Sequence, residues 1–400
     1  MKEVVIAGYL RTAQSKSKPS DPAKDWFHKL RADDLLGSLI PKILERAGIH
    51  PDEINDFLVG SAMGVSEQWT YGGRTPLFMA NLSEKVPAKF FDQQCGSSMA
   101  AIHVGFMEIA TGFADIVLTG GMEHMTRVPM GTTLFEKEVI SLNPRLYSDD
   151  CYNHWDMEVT MNMGLTAEKL ASRTSFSRED FDRWGIRSHQ LASRARNEGF
   201  FEGEILPVKA EQADGTIMTV DRDQAVRENV SMEDMARLKP VFLPSGVITA
   251  GNSSPLNAGA SSMLLMSPVA AERKGIKPLA TVRSIGFAGV DPTIMGAGPI
   301  PAIQMALKKG NLQVRDIDFW EINEAFSVVV LNCIRELDID PERVNIHGGG
   351  IALGHPMGAT GIRLTGTLSR ILEEKGARFG CAAACVGGGQ GVATIIERCS

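Results

Sequence analysis

The sequence predicts an α/β protein made of two related halves with a long segment inserted between them. Three observations carry this. The chain has 400 residues, too many for one ordinary compact core. Apolar strand-like runs alternate with helical stretches, and the runs lack the in–out alternation of a half-exposed sheet. That argues for parallel sheets covered by helices. The same course of elements also occurs twice.

Taken in order, Met1 to Gly8 reads as a first strand. Leu35 to Gly60 reads as a helix, a break at Ala47-Gly48, and a strand from Ile54 to Gly60. Residues 301–322 repeat this: a helix through Ala306–Lys309, a break at Gly310, and a strand from Ile317 to Ile322. A second pair matches as well. A helix opening at Cys95 ends near Gly112, before the strand Asp115–Leu118 and Gly120-Gly121. Another runs from about Ala359 to Lys375, ends at Gly376, and precedes the strand Gly380–Cys385. Cys95 to Gly112 and Ala359 to Gly376 each span 17 positions. The N-terminal half is therefore drawn as residues 1–120, the insertion as 121–269, which includes the end of that half, and the C-terminal half as 270–400. Within the insertion, helices are expected at Thr166–Ser172 and Arg178–Glu198, a charged segment at 209–238, and a helical or strand-like run at Ala258–Met266.

Composition excludes several classes. Apolar residues make up 44% and charged residues 22%, as in ordinary soluble domains. Net charge is −7, with 41 basic and 48 acidic residues spread evenly. No basic stripe points to nucleic acid. No stretch approaches the ~20 apolar residues that span a bilayer, and the cytoplasm is the default address. Six cysteines do not make a disulfide scaffold in a chain this long. Neither Cys-x-x-Cys nor His-Glu-x-x-His occurs, so no metal site is expected.

Candidate chemistry lies where glycine concentrates: 13 of the 40 glycines fall between Gly348 and Gly391. Cys95 opens Cys95-Gly96-Ser97-Ser98-Met99 at an expected helix start, where unpaired N–H groups favour a thiolate and lower its pKa. A buried small hydrophobe is the alternative. His355, between Gly354 and Pro356, is placed to activate a thiol or donate to an oxyanion, or else to cap the next helix. Cys385 runs into Gly387-Gly388-Gly389, whose bare N–H groups suit an oxyanion hole. A sulfur there acts as a general base if its pKa is near neutral, and a tight strand-to-loop bend explains the glycines otherwise. Asn323 reads as the N-cap of a helix with Glu324 in its first turn, or as an amide holding a catalytic water. Cys381, Cys151, Cys333 and Cys399 have no catalytic context, and His103 and His124 read as structural.

With these motifs assembled, the chain resembles a thiolase over nearly its whole length. Cys95-Gly96-Ser97-Ser98-Met99, Asn323-Glu324-Ala325-Phe326, Gly348 through Pro356, and Cys385-Val386-Gly387-Gly388-Gly389-Gln390-Gly391 come in the family's order. The resemblance implies a five-layer αβαβα core from two related halves, with a loop domain covering coenzyme A. By similarity, Cys95 takes the acyl group and Cys385 handles the proton of the acetyl unit. His355, with a water held by Asn323, stabilises the thioester enolate. Backbone N–H groups of Cys95 and Gly387 receive the other thioester oxygen. Ser254 is expected near the pantetheine arm, Arg227 near the nucleotide phosphates, and Met163 beside the acyl group. Trp155, Met157 and Met161 are expected to crowd the same covering segment. The resemblance implies no cofactor beyond coenzyme A as substrate, acyl-CoA thioesters as partners, a homodimer or homotetramer, and a β-oxidation partner subunit as a candidate. Gly-Ser-Ser-Met after Cys95 looks like β-oxidation subunits, and Asn162 stands where short-chain biosynthetic relatives often have histidine. The segment Pro19–Leu30 matches no relative closely. Competing readings are a decarboxylating ketoacyl synthase, which needs no second thiol like Cys385, and a non-catalytic acyl-CoA-binding relative, which predicts an eroded motif.

Overall fold

The computed structural model describes residues 2–128 and 140–399. Residues 129–139, part of the expected insertion, lie outside the described residues. The strands are β1 (Val5–Arg11), β2 (Ser15–Lys16), β3 (Asp56–Gly60), β4 (Ala88–Phe91), β5 (Ile116–His124), β6 (Val208–Glu211), β7 (Ile217–Val220), β8 (Asn257–Met266), β9 (Ala280–Gly289), β10 (Phe319–Ile322), β11 (Phe379–Val386) and β12 (Gln390–Arg398). All but β6 and β7 join one sheet, in the order β10-β11-β12-β9-β1-β8-β5-β3-β4 with β2 beside β8.

The pairing repeats. In the first half β3 runs parallel to β5, β5 antiparallel to β8, and β8 antiparallel to β1. In the second, β10 runs parallel to β11, β11 antiparallel to β12, and β12 antiparallel to β9. The halves meet where β1 and β9 share the pairs Val5–Thr281 and Ile6–Ala280. The expectation of parallel sheets is therefore corrected: parallel pairing is confined to β3, β4, β5, β10 and β11. Cover on both faces removed the alternation, and it does so whatever the strand direction.

Two helices, Ser97–Thr111 and Met357–Lys375, fill the layer between the half-sheets. Their apolar residues share one core with the inner faces of β1, β8, β11 and β12. Helix Ala32–Ala47 covers the outer face of the first half, and helices Pro299–Gly310 and Ser327–Leu337 cover the second. The result is five layers. The central helices touch closely: a methyl group on Gly361 would meet the backbone nitrogen of Met99. The inserted segment is anchored by a buried guanidinium. Arg11 donates to both oxygens of Asp223 at 2.7 and 2.9 Å and to Glu204 at 2.6 Å.

Candidate active site

Cys95, Asn323 and Cys385 sit where a strand gives way to a turn, and His355 sits between two helices. After β4, the turn Gln94–Gly96 carries Cys95 into helix Ser97–Thr111. β10 and β11 lie side by side, so Asn323 follows β10 next to the end of β11, with its N–H on Ala383 O at 2.9 Å. Cys385 is the next-to-last residue of β11, before the three-glycine bend into β12. Gly388 and Gly389 take φ values of 78° and 79°, which only glycine adopts readily. His355 stands just before helix Met357–Lys375.

These residues converge. The amide nitrogen of Asn323 lies 3.2 Å from His355 Nε2. The other ring nitrogen, Nδ1, lies 2.7 Å from Thr360 Oγ1. Thr360 donates its hydroxyl to Pro356 O at 3.0 Å, so it accepts from Nδ1–H. That arrangement makes Nε2 the acceptor of the Asn323 amide N–H. Burial first, then Arg363, lowers the His355 pKa to about 3, so the ring is neutral. Asn323 Oδ1 is buried and without a protein partner, which suits an amide that holds a water. The backbone N–H of Gly387 reaches the Cys95 sulfur. Cys385 is close enough for Cys95 to raise its pKa.

Two sequence expectations about the thiols are corrected. Burial, with the nearby Glu123 carboxylate, pushes the Cys95 pKa up to about 12; the Gly387 and Cys95 N–H groups pull it down by less. Burial likewise raises Cys385 well above its ordinary value, with Cys95 adding to it. A helix start favours the thiolate, but here desolvation dominates. Both sulfurs rest as thiols. A third correction concerns Asn323, which does not cap a helix: the helix begins four residues on, at Ser327. Glu324 is buried instead, accepting from Trp184, Ser188, Asn345 and the Ile351 N–H.

Met163 opens helix Met163–Ala171 and packs in the apolar cluster that holds Cys385. Trp155 and Met161 do not join it and are 42% and 40% exposed. Methionines around Cys95 come from elsewhere: Met63, Met125 and Met357, with Ala62 and Val128. Ser254 and Arg227 line one cleft of about 300 Å³ with Lys16, His189 and Ile351. Ile351 precedes the His355 turn, and Ser254 N–H bonds Ala325 O at 3.0 Å, two residues from Asn323 in the chain.

Residues 4–268 match the thiolase N-terminal domain and residues 276–398 the thiolase C-terminal domain. The chain belongs to the thiolase family. Among its relatives, the 3-ketoacyl-CoA thiolase of Vibrio vulnificus (strain CMCP6) is 41% identical over 403 residues, covering 100% of both chains. That of Marinobacter nauticus is 39% identical, covering 99% of this chain and 98% of its own. The crystal structure of human mitochondrial 3-ketoacyl-CoA thiolase superposes with a TM-score of 0.86 at 31% identity, covering 100% and 99% of the two chains. The protein is thus a thiolase and an acyltransferase, with the two-domain α/β thiolase fold expected from its motifs. No described helix of this thiolase is long and apolar enough to cross a membrane. Sequence reasoning missed Glu123, the next-to-last residue of β5, near Cys95. Gly121-Met122-Glu123-His124 reads only as the end of a buried strand, and nothing local marks its carboxylate.

Proposed function

We propose that this thiolase cleaves 3-ketoacyl-CoA with coenzyme A, and runs the reverse Claisen condensation, through an acyl-Cys95 intermediate. The observation that carries this reading is the convergence of two thiols, a neutral imidazole and an amide on one point. In cleavage, the Asn323 amide gives up His355 Nε2, which takes the Cys95 proton as the sulfur attacks the 3-keto carbon. The C2–C3 bond then breaks. The leaving thioester enolate is stabilised by His355, now carrying the Nε2 proton, and by the water on Asn323. Cys385, resting as a thiol, protonates the enolate carbon and becomes a thiolate. Coenzyme A next gives its thiol proton to Cys385 and attacks the acyl group, while the N–H groups of Gly387 and Cys95 hold the acyl oxygen. Cys95 leaves and recovers its proton from His355. Condensation is the reverse, with Cys385 as the base.

Ser254 and Arg227 hold the coenzyme in this reading, the arginine at its phosphates. Arg227 and Lys16 line the cleft together, and burial, then repulsion from Arg227, lowers the Lys16 pKa. Anionic phosphates relieve that repulsion. Met163 borders the acyl group. A role in fatty acid β-oxidation is consistent with relatives named 3-ketoacyl-CoA thiolase.

Acyl transfer to Cys95 is tested directly. Cys95→Ala should fold and lose both cleavage and condensation. Mass spectrometry of the wild-type protein mixed with an acyl-CoA should find acyl mass on the Cys95 peptide. Label on Cys385 alone would reverse the two roles.

A further inference from the structure

Glu123 takes no part in the steps above, yet it is 1% exposed and faces the nucleophile. A carboxylate held out of water needs several donors. It has four. Its Oε2 accepts from the backbone N–H of Ala62 at 2.8 Å and of Gly358 at 3.0 Å. Its Oε1 accepts from Gln68 Nε2 at 2.6 Å and Ser61 Oγ at 3.3 Å.

The two N–H groups on Oε2 belong to different halves of the molecule. Ala62 follows β3. Gly358 lies in the first turn of helix Met357–Lys375, whose N-cap residue Pro356 offers no side-chain bond. Glu123 supplies that cap from another element, at the end of the helix where negative charge is favoured.

From each N–H the path continues to a reacting group. Ala62 O accepts from Gln94 Nε2 at 3.1 Å, and Gln94 precedes Cys95 in its turn. Ala62 also packs with Cys95 and Met357 in one apolar cluster. On the other side, Thr360 stands in the same helical turn as Gly358 and holds His355 Nδ1.

We infer that Glu123 is a positioning residue that sets the separation of Cys95 and His355 by pinning Ala62 and Gly358 on one oxygen. Burial raises its pKa and the four donors pull it part of the way back, leaving it at about 7. Protonation at Oε1 leaves Oε2 free to accept, so the pin does not need the charge. The inference rests on the acyl-Cys95 reading, since it assigns Glu123 to the step in which the thiol proton reaches His355.

Three variants of the full chain separate reach from charge. Glu123→Gln keeps an oxygen for both N–H groups and loses the charge. Glu123→Asp keeps the charge and loses a methylene of reach. Glu123→Ala loses both. Each is mixed with acetyl-CoA, and acetylation of Cys95 is followed by rapid-quench mass spectrometry. A misplacement of about 1 Å costs about a hundredfold in rate. Glu123→Ala and Glu123→Asp should therefore acetylate about a hundredfold more slowly, with half-saturation by acetyl-CoA within about threefold of wild type. Glu123→Gln should stay within about tenfold of wild type. Aspartate faster than glutamine, or alanine as fast as wild type, overturns the inference. If the alanine variant does not fold, the order of glutamine and aspartate still decides. A wild-type enzyme that takes no acetyl group on Cys95 defeats the acyl-Cys95 reading itself, whereas equal labelling of wild type and variants defeats only the role of Glu123.

Discussion

Cys95 and Cys385 rest protonated because both sulfurs are buried, and this sets the order of events at the site. A free thiolate is too costly there, so in the proposed reaction Cys95 loses its proton only as it attacks, to a His355 ring that burial keeps neutral. The same burial suits Cys385 to protonate a departing enolate. Cys385→Ala should then still take an acetyl group from acetyl-CoA on Cys95, while condensation falls by roughly a thousandfold or more. Condensation retained within about tenfold, about 1.4 kcal/mol of barrier, would show that Cys385 carries no proton. At this scale the glycine-flanked motifs made Cys95, His355, Cys385 and Gly387 legible, because the chemistry demands those residue types on irregular backbone. The protonation states were not legible. They depend on how much protein surrounds the sulfur.

Among the elements, the repeat read from the chain is a repeat in space. Helices Ser97–Thr111 and Met357–Lys375 end at Gly112 and Gly376, with φ of 85° and 61°, so the matched spacing reflects matched left-handed caps. Ala258–Met266, read as helix or strand, forms β8 because it lies between β1 and β5. The start of helix Ser327–Leu337 was misplaced at Asn323 because Asn-Glu has the chemistry of a cap, while β10 and the His355 ring hold Asn323 elsewhere. Helix Ser97–Thr111 also carries a testable charge effect. His103 lies 3.0 Å from Thr394 Oγ1, and burial lowers its pKa to about 4. The unfolded chain protonates this ring first as pH falls, so its stabilising contribution is present above ~6.5 and is lost down to about 4. His103→Gln lacks that linkage. Between pH 7 and pH 4 the stability difference, followed by urea midpoints, should move up to about 3 kcal/mol in the variant's favour. A constant difference would show that His103 titrates normally.

For the whole molecule, the apolar wall around Cys95 is assembled from distant parts. Met63 follows β3, Met125 follows β5, and Met357 opens the central helix of the other half, all packed with Cys95. The expected covering segment contributes Met163 beside Cys385, while Trp155 and Met161 face outward. Methionine is flexible and polarizable, so this wall can repack around different chains. Acetoacetyl-CoA should be cleaved together with 3-ketoacyl-CoAs a few carbons longer. Preferences should be graded, since each buried methylene adds at most ~0.8 kcal/mol. Steady-state kcat/KM over a chain-length series checks this. A drop of about a thousandfold between acetoacetyl-CoA and its next homologue would reveal a closed pocket and remove the adaptable wall.

By itself the sequence determined the repeated strand–helix unit, the family, and the residue types at the site, because helix periodicity, glycine breaks and motif chemistry act over short stretches of chain. Tertiary structure decided strand direction around β8 and β12, the thiol protonation states, and the carboxylate that spans the halves. Glu123 and Gly358 are 235 positions apart. A contact at that separation, like the degree of burial around a sulfur, depends on what the rest of the chain packs against it, and no local pattern carries that information.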